Sequence, residues 1–441
     1  MPLPRLVPSC VVGLQVLLAT ATCATLGCAV RTGRPVASVA ETPPQPAWPS
    51  RHADQASISL APQSRGVELI DLGRSETARV FELRELPRRD GEAGGAVAVL
   101  DAPGYRTTWS FPTSDDGAQL GRARLLMVAS TDVSVKSQPP PQEGVEGIEF
   151  PLDFVEYVQA VMVAVRVRPV FVLGPDPEAS RGICVVTPGL GGWTDVENQF
   201  VALADLGWTV VGLTPDLLRP HRVAARKGTR GTGEKLSAQV DSELAEDAFV
   251  VEAVLRQLVR ETPTLAERPL VLVGSSLGAL GLPAIAARVA TASVVDGTPL
   301  PRVCAAILIG GGAGLGDIML RSALGRRWLE GAGIDVEAVD VATLRADLDA
   351  HCRFAPEHCA WALDGRPVLL IDASFDAIVP RATADRLWKA LGEPQRWSYP
   401  VGHIGLFVLV GDDEWNRALE WVDAAGLDPA LARPAANPPS P

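Results

Sequence analysis

The sequence predicts an α/β fold in which helices flank a mostly parallel sheet. Unbroken apolar runs such as Ile183-Cys184-Val185-Val186 are typical of strands that are buried on both faces. These runs alternate with segments of helical periodicity, of which 241–260 is the longest and has its apolar residues on one side. The chain has 441 residues, of which 47% are hydrophobic, so it is long enough for a large core and a further region.

The elements of this fold can be placed in chain order. A helix is predicted around Phe200, Leu203 and Leu206, a second over 241–260, and a helix of small residues directly after Gly274. The predicted strands alternate with these helices, as expected for parallel pairing, and lie at 161–173, 183–186, 208–213, 270–273, 304–309, 368–371 and 396–399.

The N-terminus has the pattern of a secretory signal. Arg5 precedes an apolar stretch at 11–24 that ends in small residues and is shorter than the roughly 20 residues of a membrane span. Ala24-Thr25-Leu26-Gly27-Cys28 resembles a bacterial lipobox, which would make Cys28 the lipidated first residue of the mature chain. Plain cleavage near Ala24 and an uncleaved anchor are the alternatives. We expect an exported protein of the cell envelope, membrane-anchored if lipidated and otherwise periplasmic or secreted.

The composition divides the chain into five parts. We expect a signal peptide at 1–28, a disordered Pro-rich linker at 29–66, a β-rich accessory region at 67–148, the α/β domain at 149–428, and a Pro-rich tail at 429–441. The region 67–148 is either a separate accessory domain or an extended entry to the α/β domain. A small cap is expected at about 313–362. Four of its residues either line an acyl pocket or pack in the core: Leu320, Leu324, Trp328 and Leu329.

Charge and cysteine content limit the possible partners. The net charge of -12 disfavours nucleic acid and anionic membrane surfaces, because both would repel the protein at long range. Cys352 and Cys359 flank a short polar stretch, and in an exported protein we predict that they form a disulfide. The second alternative is a metal site that joins the two cysteines to His351 and His358, but their spacing does not match the common zinc frameworks. Free thiols are the third alternative. We predict no metal and no organic cofactor.

A nucleophile is predicted where the strand 270–273 meets the following helix. Gly274-Ser275-Ser276-Leu277-Gly278 has the form G-x-S-x-G, in which the central serine occupies a tight strand-to-helix turn. Gly274 and Gly278 allow the strand and the helix to approach closely. The turn also places the Leu277 N–H at a helix N-terminus, where it can stabilise an oxyanion. We predict Ser276 as the nucleophile, because the flanks of Ser275 do not fit the motif.

A serine nucleophile needs a base, and the base needs an orienting acid. His403 follows the last predicted strand between Gly402 and Ile404-Gly405, whereas His351 and His358 fall in the predicted cap. Asp372 and Asp376 both follow the strand 368–371. We favour Asp376, because the acid must lie on a loop that reaches over to the imidazole, while Asp372 could support that loop.

A second oxyanion donor is predicted in Thr187-Pro188-Gly189-Leu190-Gly191-Gly192, which follows the strand 183–186. Its flexible backbone could present the Leu190 N–H to a carbonyl bound at Ser276. Neither this stretch nor Gly310-Gly311-Gly312-Ala313-Gly314 matches the G-x-G-x-x-G phosphate-binding pattern.

Taken together, these motifs resemble the α/β-hydrolase superfamily, and most closely its serine esterase, lipase and serine aminopeptidase-like branches. The resemblance covers about 161–421 and is strongest at the serine turn, at Asp376-x-x-Val379-Pro380 and at Gly402-His403. It implies the α/β-hydrolase fold, with Ser276 as nucleophile, Asp376 as acid, His403 as base, and Leu190 and Leu277 as oxyanion donors. One departure is Pro188-Gly189, where many members have His-Gly.

The resemblance implies a serine hydrolase that cleaves a carboxylic ester, thioester or amide of a small-molecule acyl substrate. An acyltransferase would use the same triad. His403-Ile404-Gly405 also resembles the histidine box of bacterial polyester synthases, although those usually have cysteine where this chain has Ser276. A non-catalytic surface lipoprotein that only binds a partner is the remaining alternative.

Overall fold

A computed structural model gives the fold for a defined part of the chain. The described residues are 47–48, 51–52, 57–60, 67–75, 77–85, 95–102, 105–112, 124–132, 165–189, 202–213, 232–295, 299–331, 334–337, 339–409 and 416–422. Three predicted features lie outside these residues: the signal segment with Cys28, the oxyanion donor at Leu190 and the tail 429–441.

Fourteen strands are present in the described part of the chain. They are β1 (Arg51–His52), β2 (Ser57–Leu60), β3 (Val67–Arg74), β4 (Arg79–Glu85), β5 (Gly95–Ala102), β6 (Tyr105–Pro112), β7 (Arg124–Asp132), β8 (Val165–Leu173), β9 (Ile183–Thr187), β10 (Thr209–Leu213), β11 (Leu270–Ser275), β12 (Val303–Ile309), β13 (Val368–Ala373) and β14 (Gln395–Tyr399).

Most of these strands form one large mixed sheet. Its order is β14-β13-β12-β11-β9-β10-β8-β7-β4-β3, with β1 paired to β7. Neighbours from β10 to β14 are parallel, whereas β8 is antiparallel to both β10 and β7. A second, antiparallel sheet has the order β2-β5-β6. The α/β sheet expected from the sequence is therefore confirmed, with a parallel part formed by β9 to β14 and an antiparallel extension formed by β8, β7, β4, β3 and β1.

Helices cover both faces of the large sheet. They are α1 (Thr232–Glu261), α2 (Leu277–Val295), α3 (Leu315–Arg321), α4 (Ala323–Gly331), α5 (Val341–His351), α6 (Pro356–Cys359), α7 (Arg381–Ala390) and α8 (His403–Leu409), with further helical residues at 202–205 and 416–422. Strand β11 shows the two layers directly. Leu270 and Leu272 pack in a core cluster with α1 and α2, while Val271 and Val273 point into the cluster that holds α8. This alternation is what a strand that is buried on both faces requires.

The region 67–148 contributes strands to the same sheet. Strands β3, β4 and β7 extend it beyond β8, and Val80, Leu126 and Val128 are buried in the core cluster of α1 and α2. Arg124 on β7 contacts Glu261 at the end of α1, with Nη1 2.7 Å from Oε2. These strands therefore share the hydrophobic core of the α/β domain.

The segment 29–66, predicted as a disordered linker, differs from that expectation within the described residues. It includes β1 and β2, and Trp48 packs against the core. The Trp48 ring lies with its centroid 4.4 Å from that of Phe354 and 5.8 Å from that of Phe249. A large aromatic surface of this kind can offset the entropy of ordering the residues that carry it.

The predicted cap consists of α3 to α6. Leu320 and Leu329 are buried in the same core cluster as α1 and α2, Trp328 packs against that cluster, and Leu324 is 37% exposed. Of the two alternatives for these residues, the structure therefore places Leu320 and Leu329 in core packing. His351 is exposed at the end of α5.

The disulfide predicted between Cys352 and Cys359 does not form in the structure. Both are free thiols with no exposed surface, and both belong to the core cluster. A buried cysteine packs as a small hydrophobic residue, so these positions contribute to the core without being bonded to each other.

Candidate active site

The turn between β11 and α2 holds Ser276 in a strained backbone conformation. Its φ is 51°, and Glu393 is the only other non-glycine residue with positive φ in the described part of the chain. Two backbone hydrogen bonds fix the turn: the Ser276 N–H donates to Ile309 O at 2.6 Å, and the Leu280 N–H donates to Ser276 O at 3.2 Å. Such strain persists only where the surroundings enforce it, and it is concentrated at functional sites.

Both motif glycines are needed for close packing around this turn. A Cβ on Gly274 would lie 2.7 Å from Leu282 Cδ1, and a Cβ on Gly278 would lie 2.8 Å from Pro188 O. Real Cβ atoms do not approach other heavy atoms this closely, so a larger residue would push α2 away from the sheet.

The imidazole of His403 lies against the serine hydroxyl. Its Nε2 is 2.8 Å from Ser276 Oγ, which is hydrogen-bond distance. His403 begins α8 directly after the loop that follows β14, and the Leu406 N–H closes the first turn by donating to Gly402 O at 2.9 Å. The Phe407 ring packs edge-on to the imidazole at a centroid distance of 5.1 Å, which restricts the ring's orientation.

Asp376 completes a chain of hydrogen bonds. Its Oδ2 is 2.7 Å from His403 Nδ1, while its Oδ1 accepts from the N–H groups of Ile378 at 2.8 Å and Val379 at 2.7 Å. With a carboxylate at Nδ1, the neutral imidazole carries its proton there, which leaves Nε2 free to accept the proton of Ser276. The side chains of His403 and Asp376 are only 6% and 3% exposed, so water does not compete for this contact.

Asp372, the other candidate acid, has a different partner. Its carboxylate pairs with Arg396 on β14, and the Arg396 Nη1 also lies 2.7 Å from Asp385 Oδ1 on α7. Asp372 is thus engaged with β14 at the strand end, and its carboxylate is paired with Arg396.

The loop that carries Asp376 and the loop that carries His403 continue their backbone pairing past the ends of β13 and β14. The Ser374 N–H donates to Tyr399 O at 2.7 Å, and the Phe375 N–H donates to Val401 O at 3.0 Å. The loops that carry Asp376 and His403 are thereby held side by side at the carboxyl edge of β13 and β14, where parallel sheets position their functional groups.

Gly310 lies against the candidate base His403, a position that the sequence did not indicate. It follows β12 with φ 62°, and its N–H donates to Ile371 O at 2.8 Å. A Cβ there would lie 3.2 Å from Cε1 of His403, so the absence of a side chain leaves room for the imidazole. The signal available in the sequence is the run of glycines that begins at Gly310, directly after the strand expected at 304–309.

One of the two predicted oxyanion donors lies in the described residues. Leu277 is the first residue of α2, so its N–H has no acceptor within the helix. Leu190 lies outside the described residues, but the chain leading to it approaches Ser276, since a Cβ on Gly189 would be 2.9 Å from Ser276 Cβ. Thr187 fixes that approach by donating from Oγ1 to Gly278 O at 3.1 Å.

The described residues contain neither a candidate metal-binding cluster nor a helix that could span a membrane. No group of three or more His, Cys, Asp or Glu side chains there could hold a metal ion. None of the helices in that part of the chain is both long enough and apolar enough to cross a membrane.

The mixed sheet, its flanking helices and the strand–turn–helix that carries Ser276 define an α/β-hydrolase fold. No known family model matches the chain, and no curated protein matches it either. The chain is, however, similar to several solved structures. An esterase from Pyrococcus furiosus is 16% identical with a TM-score of 0.37, and the match covers 59% of this chain and 88% of the esterase.

Two further solved structures are similar. An acylaminoacyl peptidase from Pyrococcus horikoshii is 11% identical with a TM-score of 0.40, and the match covers 81% of this chain but 51% of the peptidase. A cold-adapted esterase from an Arctic intertidal metagenomic library is 14% identical with a TM-score of 0.32, covering 59% of this chain and 88% of the esterase.

Proposed function

We propose that this protein is a serine hydrolase that cleaves a carboxylic ester, thioester or amide through an acyl-serine intermediate. The observation that carries the proposal is the continuous hydrogen-bonded chain from Asp376 through His403 to Ser276. Such a chain turns a weakly nucleophilic hydroxyl into an attacking group, because the base accepts the hydroxyl proton as the new bond forms.

In the proposed acylation step, Ser276 Oγ attacks the substrate carbonyl carbon while His403 Nε2 takes the hydroxyl proton. The Leu277 N–H stabilises the resulting oxyanion, and we propose the Leu190 N–H as the second donor. His403 then gives its proton to the leaving oxygen, sulfur or nitrogen as the bond to that atom breaks. Asp376 stabilises the imidazolium while it exists.

In the proposed deacylation step, a water molecule replaces the leaving group. His403 Nε2 takes a proton from this water as its oxygen attacks the acyl carbon, and the proton passes to Ser276 Oγ when the ester bond breaks. The acid product leaves and the enzyme returns to its starting protonation state. An acyltransferase would follow the same steps with an alcohol or amine in place of water.

Labelling and turnover test the proposal together. The purified protein should hydrolyse p-nitrophenyl acetate and react with a fluorophosphonate probe. The Ser276→Ala variant should lose the label completely and lower kcat by about 10⁴-fold or more. Ser275→Ala is the matched control, because this neighbouring serine ends β11 and is not part of the hydrogen-bonded chain from Asp376 through His403 to Ser276; it should keep the label. A wild-type protein without label, or a label that survives in Ser276→Ala, would overturn the proposal. Product that shifts to a new ester when alcohol is added would indicate transfer.

We also propose that the chain is exported by its N-terminal segment and anchored through Cys28. Mass spectrometry of the mature protein from the membrane fraction tests this. Lipid on Cys28 supports the anchor, whereas a mature chain that starts near Ala24 without lipid supports plain cleavage.

A further inference from the structure

Four exposed apolar side chains lie in the two segments that carry Asp376 and His403, and we call them the apolar rim. Phe375 is 71% exposed, Ile404 67%, Val408 63% and Leu409 42%. Among the residues that the structure describes, only three other large hydrophobic side chains are exposed to this degree, and they are scattered: Leu206, Leu324 and Val341. Clustered exposure of this kind marks an interaction surface, whereas single exposed residues do not.

The rim adjoins the acid and the base of the candidate active site. Phe375 directly precedes Asp376, and Ile404 directly follows His403. The two loops are in contact, because the Phe375 N–H donates to Val401 O at 3.0 Å and a Cβ on Gly402 would lie 3.5 Å from Phe375 O. The apolar surface is therefore continuous with the loops that hold the triad.

Helix α8 shows that this exposure is not a by-product of an amphipathic helix. After His403, the helix contains only apolar residues and one glycine. Leu406 is buried and Phe407 packs on the imidazole, so one side of the helix serves the core. Ile404 and Val408 are one turn apart on the other side, where a surface helix ordinarily has polar residues. A helix that is apolar all round is normally covered on all sides.

The charge around the rim indicates what covers it. The segments 373–380 and 399–409 contain no lysine, arginine or glutamate, and their aspartate and histidine are the nearly buried triad members. The whole chain has a net charge of -12, which disfavours an anionic lipid surface. Two segments that contribute apolar side chains but no exposed charge to the surface, beside a site that would process acyl groups, fit the acyl chains of an uncharged ester.

We propose that the apolar rim seats the acyl-chain surface of an aggregated, uncharged ester or lipid, so that substrate enters the site from that surface. This inference rests on the proposed function. It commits to a substrate class, namely esters whose acyl chains present an apolar interface, and it makes the rim an interfacial binding surface.

The test compares a dissolved ester with a dispersed one. Tributyrin hydrolysis is followed through the concentration at which tributyrin forms droplets, and p-nitrophenyl acetate reports the site with a dissolved substrate. The wild-type rate should rise steeply, by about tenfold, once droplets form. The double variant Ile404→Ser with Val408→Ser removes two aliphatic side chains that are 67% and 63% exposed. The ratio of its droplet rate to its dissolved-ester rate should fall about tenfold.

Two measurements keep the result unambiguous. The matched control is Leu324→Ser with Val341→Ser, which removes exposed aliphatic side chains that are 37% and 43% exposed elsewhere in the chain and should leave the ratio unchanged. Binding is measured separately with the inactive Ser276→Ala protein and phosphatidylcholine vesicles. The rim substitutions should weaken this binding about tenfold, and the control substitutions should not.

The possible failures are distinguishable. No hydrolysis of p-nitrophenyl acetate and no fluorophosphonate label would refute the proposed function itself. Normal hydrolysis of the dissolved ester with no rise at the droplet limit would refute the rim proposal alone. Equal loss on both substrates, or a dimer in solution that the rim substitutions convert to a monomer, would also refute it, because the rim would then shape the site or join two copies of the chain.

Discussion

Replacing Asp376 with Asn should nearly abolish catalysis while leaving the fold intact. The Asn carbonyl oxygen can still accept from the N–H groups of Ile378 and Val379, which hold Oδ1 at 2.8 and 2.7 Å. Its NH₂ group would then face His403 Nδ1, where Oδ2 now lies at 2.7 Å. A neutral imidazole facing this donor must accept at Nδ1, so its proton moves to Nε2.

The moved proton blocks the reaction. In the structure, Nε2 is 2.8 Å from Ser276 Oγ, and an Nε2 that already carries a proton cannot take the one from the serine. We expect kcat to fall about 10⁴-fold near neutral pH, which corresponds to about 5.5 kcal/mol of transition-state stabilisation. The free energy of unfolding should fall by only about 1–3 kcal/mol, the contribution of a hydrogen bond to a charged group.

The assay is the steady-state hydrolysis of p-nitrophenyl acetate, combined with urea unfolding of the same preparations. Asp372→Asn is the control, because it makes the same chemical change four residues earlier, near the end of β13. Asp372 is paired with Arg396, so this substitution should lower the free energy of unfolding and change kcat by less than about tenfold. The reasoning is refuted if Asp376→Asn retains more than a tenth of wild-type kcat, or if both variants lose activity equally.

Two glycine substitutions and the reactivity of two buried thiols test the site and the core independently. Gly310→Ala should lower kcat/KM about tenfold, because its Cβ would lie 3.2 Å from His403 Cε1, whereas Gly392→Ala, with φ 78° and no heavy atom within 4 Å, should only lower the free energy of unfolding by about 1 kcal/mol. Equal kinetics for the two variants would contradict the role of Gly310. Burial raises the pKa of the thiols of Cys352 and Cys359 to about 12, so at pH 8 both stay protonated, and neither should react with a maleimide until the protein unfolds. A mass 2 Da lower before reduction would instead indicate a disulfide.

Local constraints explain why the sequence places the serine turn where the structure has it, between the end of β11 and the start of α2. The strand, the two glycines and the helix that surround Ser276 are contiguous, and the steric demand that selects glycine acts between near neighbours, such as Gly274 and Leu282. The strand ends before Asp376 and His403 were equally visible, because buried parallel strands leave long apolar runs.

Long-range contacts decided what the sequence left open. In the sequence, Asp372 and Asp376 both follow the strand expected at 368–371, and only the position of Arg396 on β14 shows which carboxylate is engaged elsewhere. The joining of 67–148 to the main sheet depends on the antiparallel pairing of β7 with β8, for which the sequence of either strand gives no signal. Strand pairing is a property of two distant segments, so no window of a single segment can contain it.

The sequence by itself determined the type of fold and the three residues proposed to carry the reaction, because each is encoded by a local pattern at the end of a buried strand. The tertiary structure decided the distances among Ser276, His403 and Asp376, the packing of Gly310 against the imidazole, and the free state of Cys352 and Cys359. It also showed that the four side chains of the apolar rim are exposed. These features depend on contacts between strands and helices that are distant in the sequence. The free energy of such packing depends on the whole fold, so no local sequence pattern encodes it.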